Sequence, residues 1–281
     1  MYKKLAFALL CFATLTISAQ VKAPAPSPTS KTELKVGLTD VSLEYSRPSM
    51  RGRKIFGNLV PYGKVWRTGA NANTKISFGD DVTINGDSLK KGTYAIYTIP
   101  NEQSWEVIFY SDANNWGTPQ KWDDSKVALK TTAKALTFPD MNMETFTILI
   151  DNLADGKSGD LNFLWDDTIV TVKIGVPTDA IAQASIDKIM GGPTANDYFA
   201  AASYYRNTGK DLKQALTWID KAVQLRKDAY WMTREKSLIL AALGKKKEAI
   251  EAAKVSLEKA KEKGNNDYVK MNTDAIAEWS K

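Results

Sequence analysis

The 281-residue chain contains no histidine. That absence removes Ser-His and Cys-His nucleophile systems, acid–base catalysis by imidazole and nearly every nitrogen-ligated zinc site. Cysteine is almost as scarce. Cys11 is the only one, so no intramolecular disulfide can form and stability must come from ordinary cores. Long apolar runs are missing as well: beyond the leader-like start, nothing approaches the ~18 apolar residues of a membrane-spanning helix, and no membrane span is expected.

What is present at the start is an export pattern. Lys3 and Lys4 precede an apolar run over 5–17, and Ile17, Ser18 and Ala19 form a cleavage site ahead of Gln20. Residues 1–19 read as a signal peptide removed near Ala19, which leaves the mature chain periplasmic or secreted. A lipid anchor on Cys11 is the alternative, and Leu10 speaks against it because such processing wants a small residue there. Residues 20–31 follow as an extended linker rich in Pro and Ser.

From Leu34 onward the pattern changes to short alternating runs. Val41, Leu43 and Tyr45 share one face of a half-buried strand. The run Val82, Thr83, Ile84, then Asn85-Gly86, spells a tight hairpin, since Asn-Gly supplies two left-handed residues cheaply. Further strands are expected over 92–99, 105–110, 146–150, 161–165 and 169–176 with no helical period between them. The expectation for 32–177 is an all-β antiparallel sandwich or flattened barrel.

Residues 178–281 read as helical throughout, and they repeat. Ala215, Ile219, Ala222 and Val223 recur 34 residues later as Ala249, Ala253, Ser256 and Leu257. Small residues at that period mark tetratricopeptide-like helix pairs, whose helices approach closely. Such a region either packs on its neighbour or offers a peptide-binding face, for which Trp218, Tyr230, Trp231 and Arg234 are the candidates.

Charge is segregated inside the β region. Between Glu44 and Asp80 lie seven cations (Arg47, Arg51, Arg53, Lys54, Lys64, Arg67, Lys75) and no acid. Residues 31–177 as a whole hold 17 cations against 18 acids, so the basic segment is a local feature. A nucleic-acid partner is therefore not expected. Glycines, prolines and aromatics are interleaved with the cations, as in a shaped loop.

The strings Ser46-Arg47-Pro48-Ser49-Met50-Arg51-Gly52-Arg53, Leu59-Val60-Pro61-Tyr62-Gly63 and Trp66-Arg67-Thr68-Gly69-Ala70-Asn71, with Gly92-Thr93-Tyr94, Thr98-Ile99-Pro100, Trp105 and Trp116-Gly117, resemble the domain-of-unknown-function 2911 family over about residues 31–176. The resemblance implies a domain boundary and an exported protein with a helical tail. It implies no activity.

The preferred reading of the basic segment is a non-catalytic site for a small anionic or carbohydrate ligand, needing no cofactor. Arg47, Arg51, Arg53 and Arg67 would grip carboxylate or phosphate, Tyr62, Trp66 and Phe56 would cover a sugar face, and Asn71, Asn73 and Thr74 would add hydrogen bonds. Against this stands a structural role in which the cations pair with acids such as Asp123, Asp124, Asp166 and Asp167. A carboxylate-based, glycosidase-like hydrolase is a further alternative, with the doublets Asp80-Asp81, Asp123-Asp124 and Asp166-Asp167 as sources of acids. A purely scaffolding protein is another. The segment from Asp151 to Asp160 reads as a hairpin turn rather than a calcium loop, because Leu153 occupies a ligand position. No metal site is expected.

Overall fold

A computed structural model describes residues 23–281; the expected signal peptide and Cys11 lie outside the described residues. The chain divides into two compact units, one ending at Val176 and one beginning at Pro177.

The first unit holds eleven strands: β1 Thr29–Val36, β2 Thr39–Ser46, β3 Thr74–Phe78, β4 Val82–Ile84, β5 Asp87–Leu89, β6 Gly92–Pro100, β7 Ser104–Tyr110, β8 Val127–Thr137, β9 Met143–Asp151, β10 Ser158–Asp166 and β11 Thr168–Gly175. Nine form a curled antiparallel sheet in the order β1-β2-β3-β6-β7-β8-β11-β10-β9, and the β4–β5 hairpin pairs onto β11. The strand alternation is real: Val41, Leu43 and Tyr45 are buried while Asp40 and Glu44 are exposed. Asn85 and Gly86 take the left-handed backbone that the two-residue hairpin requires.

Two of the differences from the sequence reading have clear causes. β1 begins at Thr29, inside the expected linker, because its backbone pairs with β2 along all eight residues, although most of its side chains are exposed. β8 has no strong alternation to announce it, yet it carries the curl. It pairs with β7 over 127–134 and with β11 over 135–137.

The curl brings the far edge of the sheet back to β2. Just past β2, Pro48 accepts from Phe146 N (2.8 Å), Met50 N donates to Glu144 O (2.8 Å), and Ser49 pairs with Thr145. Tyr45 hydroxyl donates to Ile148 O (3.1 Å) and accepts from Ile148 N (2.8 Å). An aromatic core fills the space so enclosed, with Trp105, Trp165, Phe146 and Phe163 fully buried.

The second unit has six helices: α1 Thr178–Ile189, α2 Ala195–Thr208, α3 Leu212–Leu225, α4 Tyr230–Ala242, α5 Lys246–Glu262 and α6 Asn266–Trp279. Thr194 and Asp197 form a capping box ahead of α2, and Gly209 ends it in the left-handed region. The small residues of the 34-residue repeat sit where helices touch: Ala215, Ala222, Ala249, Ala253 and Ser256 are fully buried. Ser256 donates to Tyr230 O (2.7 Å) and accepts from Asn272 Nδ2 (2.9 Å), which ties α4, α5 and α6 together. Arg206 of α2 grips Glu235 of α4 through two bonds of 2.5 and 3.1 Å. Among the described residues no helix is long and apolar enough to cross a membrane.

Candidate functional site

The basic segment between β2 and β3 does not form one site. Its residues divide into three groups with different tasks.

The first group closes the sheet. Arg47 donates from Nε to Phe146 O (3.2 Å) and from Nη2 to Thr147 Oγ1 (2.7 Å). Arg53 is turned onto its own loop, donating to Met50 O (2.8 Å) and Ser49 O (2.7 Å). Arg51 has a left-handed backbone, gives its N–H to Glu144 Oε1 (2.9 Å) and reaches Pro26 O with Nη2 (3.1 Å). Arg47 N donates to Pro28 O (2.9 Å) and Asn71 Nδ2 to Ser27 O (3.4 Å). Three successive carbonyls of the Pro-rich segment are thus held by this loop. Prolines offer carbonyls and no N–H, so an arginine- and asparagine-bearing surface is the complement they need.

Trp66 is partly buried and packs against the core. Its backbone exchanges hydrogen bonds with Thr98 of β6 (2.7 and 3.0 Å), and its indole N–H donates to Gly69 O (3.2 Å). The ring stacks on Trp165 at 5.8 Å and meets Phe146 edge-on at 5.0 Å. A ring so enclosed on its neighbours has little face left to offer a sugar, whatever its intrinsic affinity for one.

A second group supports the loop between β7 and β8. Asn73 is 3 % exposed; its Nδ2 donates to Ala113 O (3.0 Å) and its backbone N to Asn115 O (3.3 Å). Arg67 donates from Nη1 to Asn71 O (2.8 Å) and lies flat against Gly117, where an added Cβ would come within 2.6 Å of Nη1. The expected pairing of these cations with Asp123, Asp124, Asp166 or Asp167 does not occur. The ion pairs of this unit use other cations: Lys31–Glu33, Lys35–Asp40, Lys90–Asp81, Lys126–Asp112 and Lys130–Glu106.

The third group walls a cavity of about 250 Å³. Lys54, Phe56 and Tyr62 come from the basic segment, Asn101, Glu102 and Trp105 from the β6–β7 turn and the start of β7, and Asp166, Asp167 and Thr168 from the β10–β11 turn. Asp166 has a φ of 56°, a left-handed conformation that a two-residue turn imposes and that an aspartate tolerates better than most residues. Burial, and then the neighbouring Asp167 charge, raise its carboxyl above the usual carboxylate range. Tyr62 is pushed up in the same way, by burial first and then by Glu102 and Asp167. Its ring rests against Gly57, where a Cβ would stand 2.9 Å away.

The remaining acid doublets have structural partners. Asp80 accepts from Thr39 Oγ1 (2.9 Å), Asp81 pairs with Lys90, Asp123 caps a short 3-10 turn at Ser125, and Asp124 accepts from Trp122 Nε1 (2.9 Å). Asp155 accepts from the backbone N–H groups of Lys157 and Ser158 and from the Ser158 hydroxyl, an ordinary turn arrangement. Among the described residues no three acidic side chains converge as metal ligands.

Of the residues named from the sequence as ligand contacts, Tyr62 and Phe56 reach the cavity. Lys54 was counted in the basic segment without a site, and Asn101 and Glu102 were missed; they sit in a turn whose ordinary composition carries no signal. Trp116 was noted only within a motif string. On the helices, Trp218 packs against Tyr205 (4.8 Å), Tyr230 against Trp231 (5.1 Å), and Arg234 lies over Trp279 (6.0 Å).

A family model described as a protein of unknown function (DUF2911) matches residues 27–174, and the helical unit lies beyond the match. No curated protein and no solved structure matches the chain.

Proposed function

The chain belongs to the DUF2911 family, and since that description names no activity, we propose from the site alone that the β unit binds a carbohydrate, without catalysis, in the Tyr62 cavity. The observation that carries this reading is the mixed lining: carboxylates, an amide, an ammonium group and the exposed ring of Tyr62. Sugars present hydroxyls at the ring edge and C–H groups on the faces, and such a wall answers both. One cation faces three carboxylates there, which favours a neutral sugar over an anion. The volume is small beside the ~300–1,000 Å³ of typical ligand clefts, so one ring fits better than an extended chain. The leader-like residues 1–19 support an exported, periplasmic or secreted setting in which glycans are met.

A thermal-shift and calorimetric screen of monosaccharides against the mature chain tests this. Tyr62→Ala and Glu102→Gln should each weaken the hit about tenfold or more with little change in melting temperature, because both side chains are exposed. If no sugar shifts the wild type, the reading fails.

One observation favours hydrolysis as a second reading: the raised Asp166 carboxyl stands beside other carboxylates, as a general acid does. Release of nitrophenol from aryl glycosides, lost in Asp166→Asn, would select it over simple binding. For the helical unit, a groove of about 530 Å³ lined by Val223, Leu240, Ala252 and Val255 with Lys236 and Glu251 at its polar side supports a peptide-binding role.

A further inference from the structure

The loop between β7 and β8 ends in a tryptophan that the fold holds outward. Trp116 is 78 % exposed, more than any other large apolar side chain among the described residues. Its flanking residues are fixed. Asn73 bonds the carbonyls of Ala113 and Asn115, and the buried Tyr97 hydroxyl donates to Gly117 O (3.0 Å). Burial lifts the Tyr97 phenol to about 12, so it remains a donor at every physiological pH. Beneath the loop, Trp122 packs against Tyr97 (5.5 Å) and Tyr110 (4.7 Å). An indole left in water forgoes the gain of burial, and a slack loop would let it fold back. This one is mounted on a rigid base instead.

Arg67 lies against the next residue, Gly117. Gly117, at φ 86°, is the residue that permits the guanidinium to rest on the loop backbone, since any Cβ would collide with it. Arg67 uses one N–H for Asn71 O (2.8 Å), and a guanidinium carries five. The ion pairs seen in this unit involve lysines, and among the described residues no carboxylate pairs with Arg67.

We propose that Trp116 and Arg67 form a second binding surface, for a sugar that carries a carboxylate. The C–H face of a uronic acid lies on the indole, and its carboxylate meets the guanidinium fork. A protein partner would need a contiguous apolar patch at the centre of the contact. The other exposed side chains of this loop are polar or charged, from Asn114, Thr118 and Gln120 near the tryptophan to Lys121, Asp123 and Asp124 further along, and none of them adds to an apolar patch. The surface stands independently of the Tyr62 cavity, whose acidic wall has the opposite charge preference.

Affinity electrophoresis of the mature chain through gels containing polygalacturonate, and through gels containing the same polymer methyl-esterified, tests the proposal. The wild type should be retarded by the acid form, less so at high salt, and about tenfold more weakly by the ester. Trp116→Ala should lose retardation in both gels, while Arg67→Gln and Arg67→Lys should lose the preference for the acid form. Leu38→Ala, at an exposed apolar side chain elsewhere in the unit, should behave as wild type, which ties the retardation to Trp116 rather than to any exposed apolar group. Trp116 is exposed, so Trp116→Ala leaves the melting temperature in place and a loss of retardation there is a loss of binding. Unchanged retardation in Trp116→Ala overturns the proposal, as does a wild type that runs freely in both gels. Retardation by polyglutamate alone, abolished in the same variants, would assign the surface to an acidic protein segment and overturn the carbohydrate claim.

Discussion

The two units solve the problem of a core in opposite ways. The β unit fills its interior with large rings: Trp66, Trp105, Trp165, Phe56 and Phe146 meet at centroid distances of 5.0 to 6.5 Å. The helical unit does the reverse, placing Ala215, Ala222, Ala249, Ala253 and Ala260 at fully buried positions. A curled sheet leaves a wide interior that only large side chains fill at normal packing density, whereas paired helices gain contact by approaching closely. The first core should therefore be most sensitive to deletion and the second to insertion.

The largest effect is expected from Trp165→Ala, which opens a cavity among Trp66, Phe56 and Phe146. Loss of about 3–5 kcal/mol is expected, read by urea unfolding followed in the near-ultraviolet circular dichroism. A loss under about 1 kcal/mol would mean the ring cluster is not what holds the β unit. Next comes Ala253→Leu in α5, where added methylenes meet a close-packed neighbour. Overpacking of this kind costs about 1–3 kcal/mol, and ellipticity at 222 nm should report it; an unchanged midpoint would show slack between the helices.

The smallest effect sharpens the contrast between core and cavity. The folded state favours the neutral form of Asp166, so its ionised form opposes folding near neutral pH. The contribution of this group is fully present below the ordinary carboxyl value of 3.8 and is lost as pH rises through the raised folded value. Asp166→Asn should accordingly raise the melting temperature slightly at pH 7, and the gain should vanish below that range. An equal gain at pH 3 and pH 7 would place its cause elsewhere.

Much of the architecture was legible. Val41, Leu43 and Tyr45 announced β2, Asn85-Gly86 announced the hairpin, and the small residues at a 34-residue period announced the helix pairs. β8 and β1 were not, for a shared reason. Each is held mainly by backbone pairing with its neighbours, and backbone bonds leave little trace in residue type. The site was less legible than the fold. A run of arginines looks like a ligand grip because guanidinium chemistry is the same whether its acceptor is a ligand or a main-chain carbonyl, and Arg47 and Arg53 chose carbonyls.

By itself the sequence determined the exclusions and the plan: no histidine chemistry, no disulfide, a β region followed by repeated helices, and a local basic loop rather than a basic protein. Those follow from composition and period, which survive any folding. Only the tertiary structure decided that Trp66 packs on the core while Trp116 faces solvent, that Arg67 lies on Gly117, and that Tyr62 joins Glu102, Asp166 and Asp167 around one cavity. Each depends on how the sheet curls and which distant turns it brings together, and one-dimensional spacing carries no record of that.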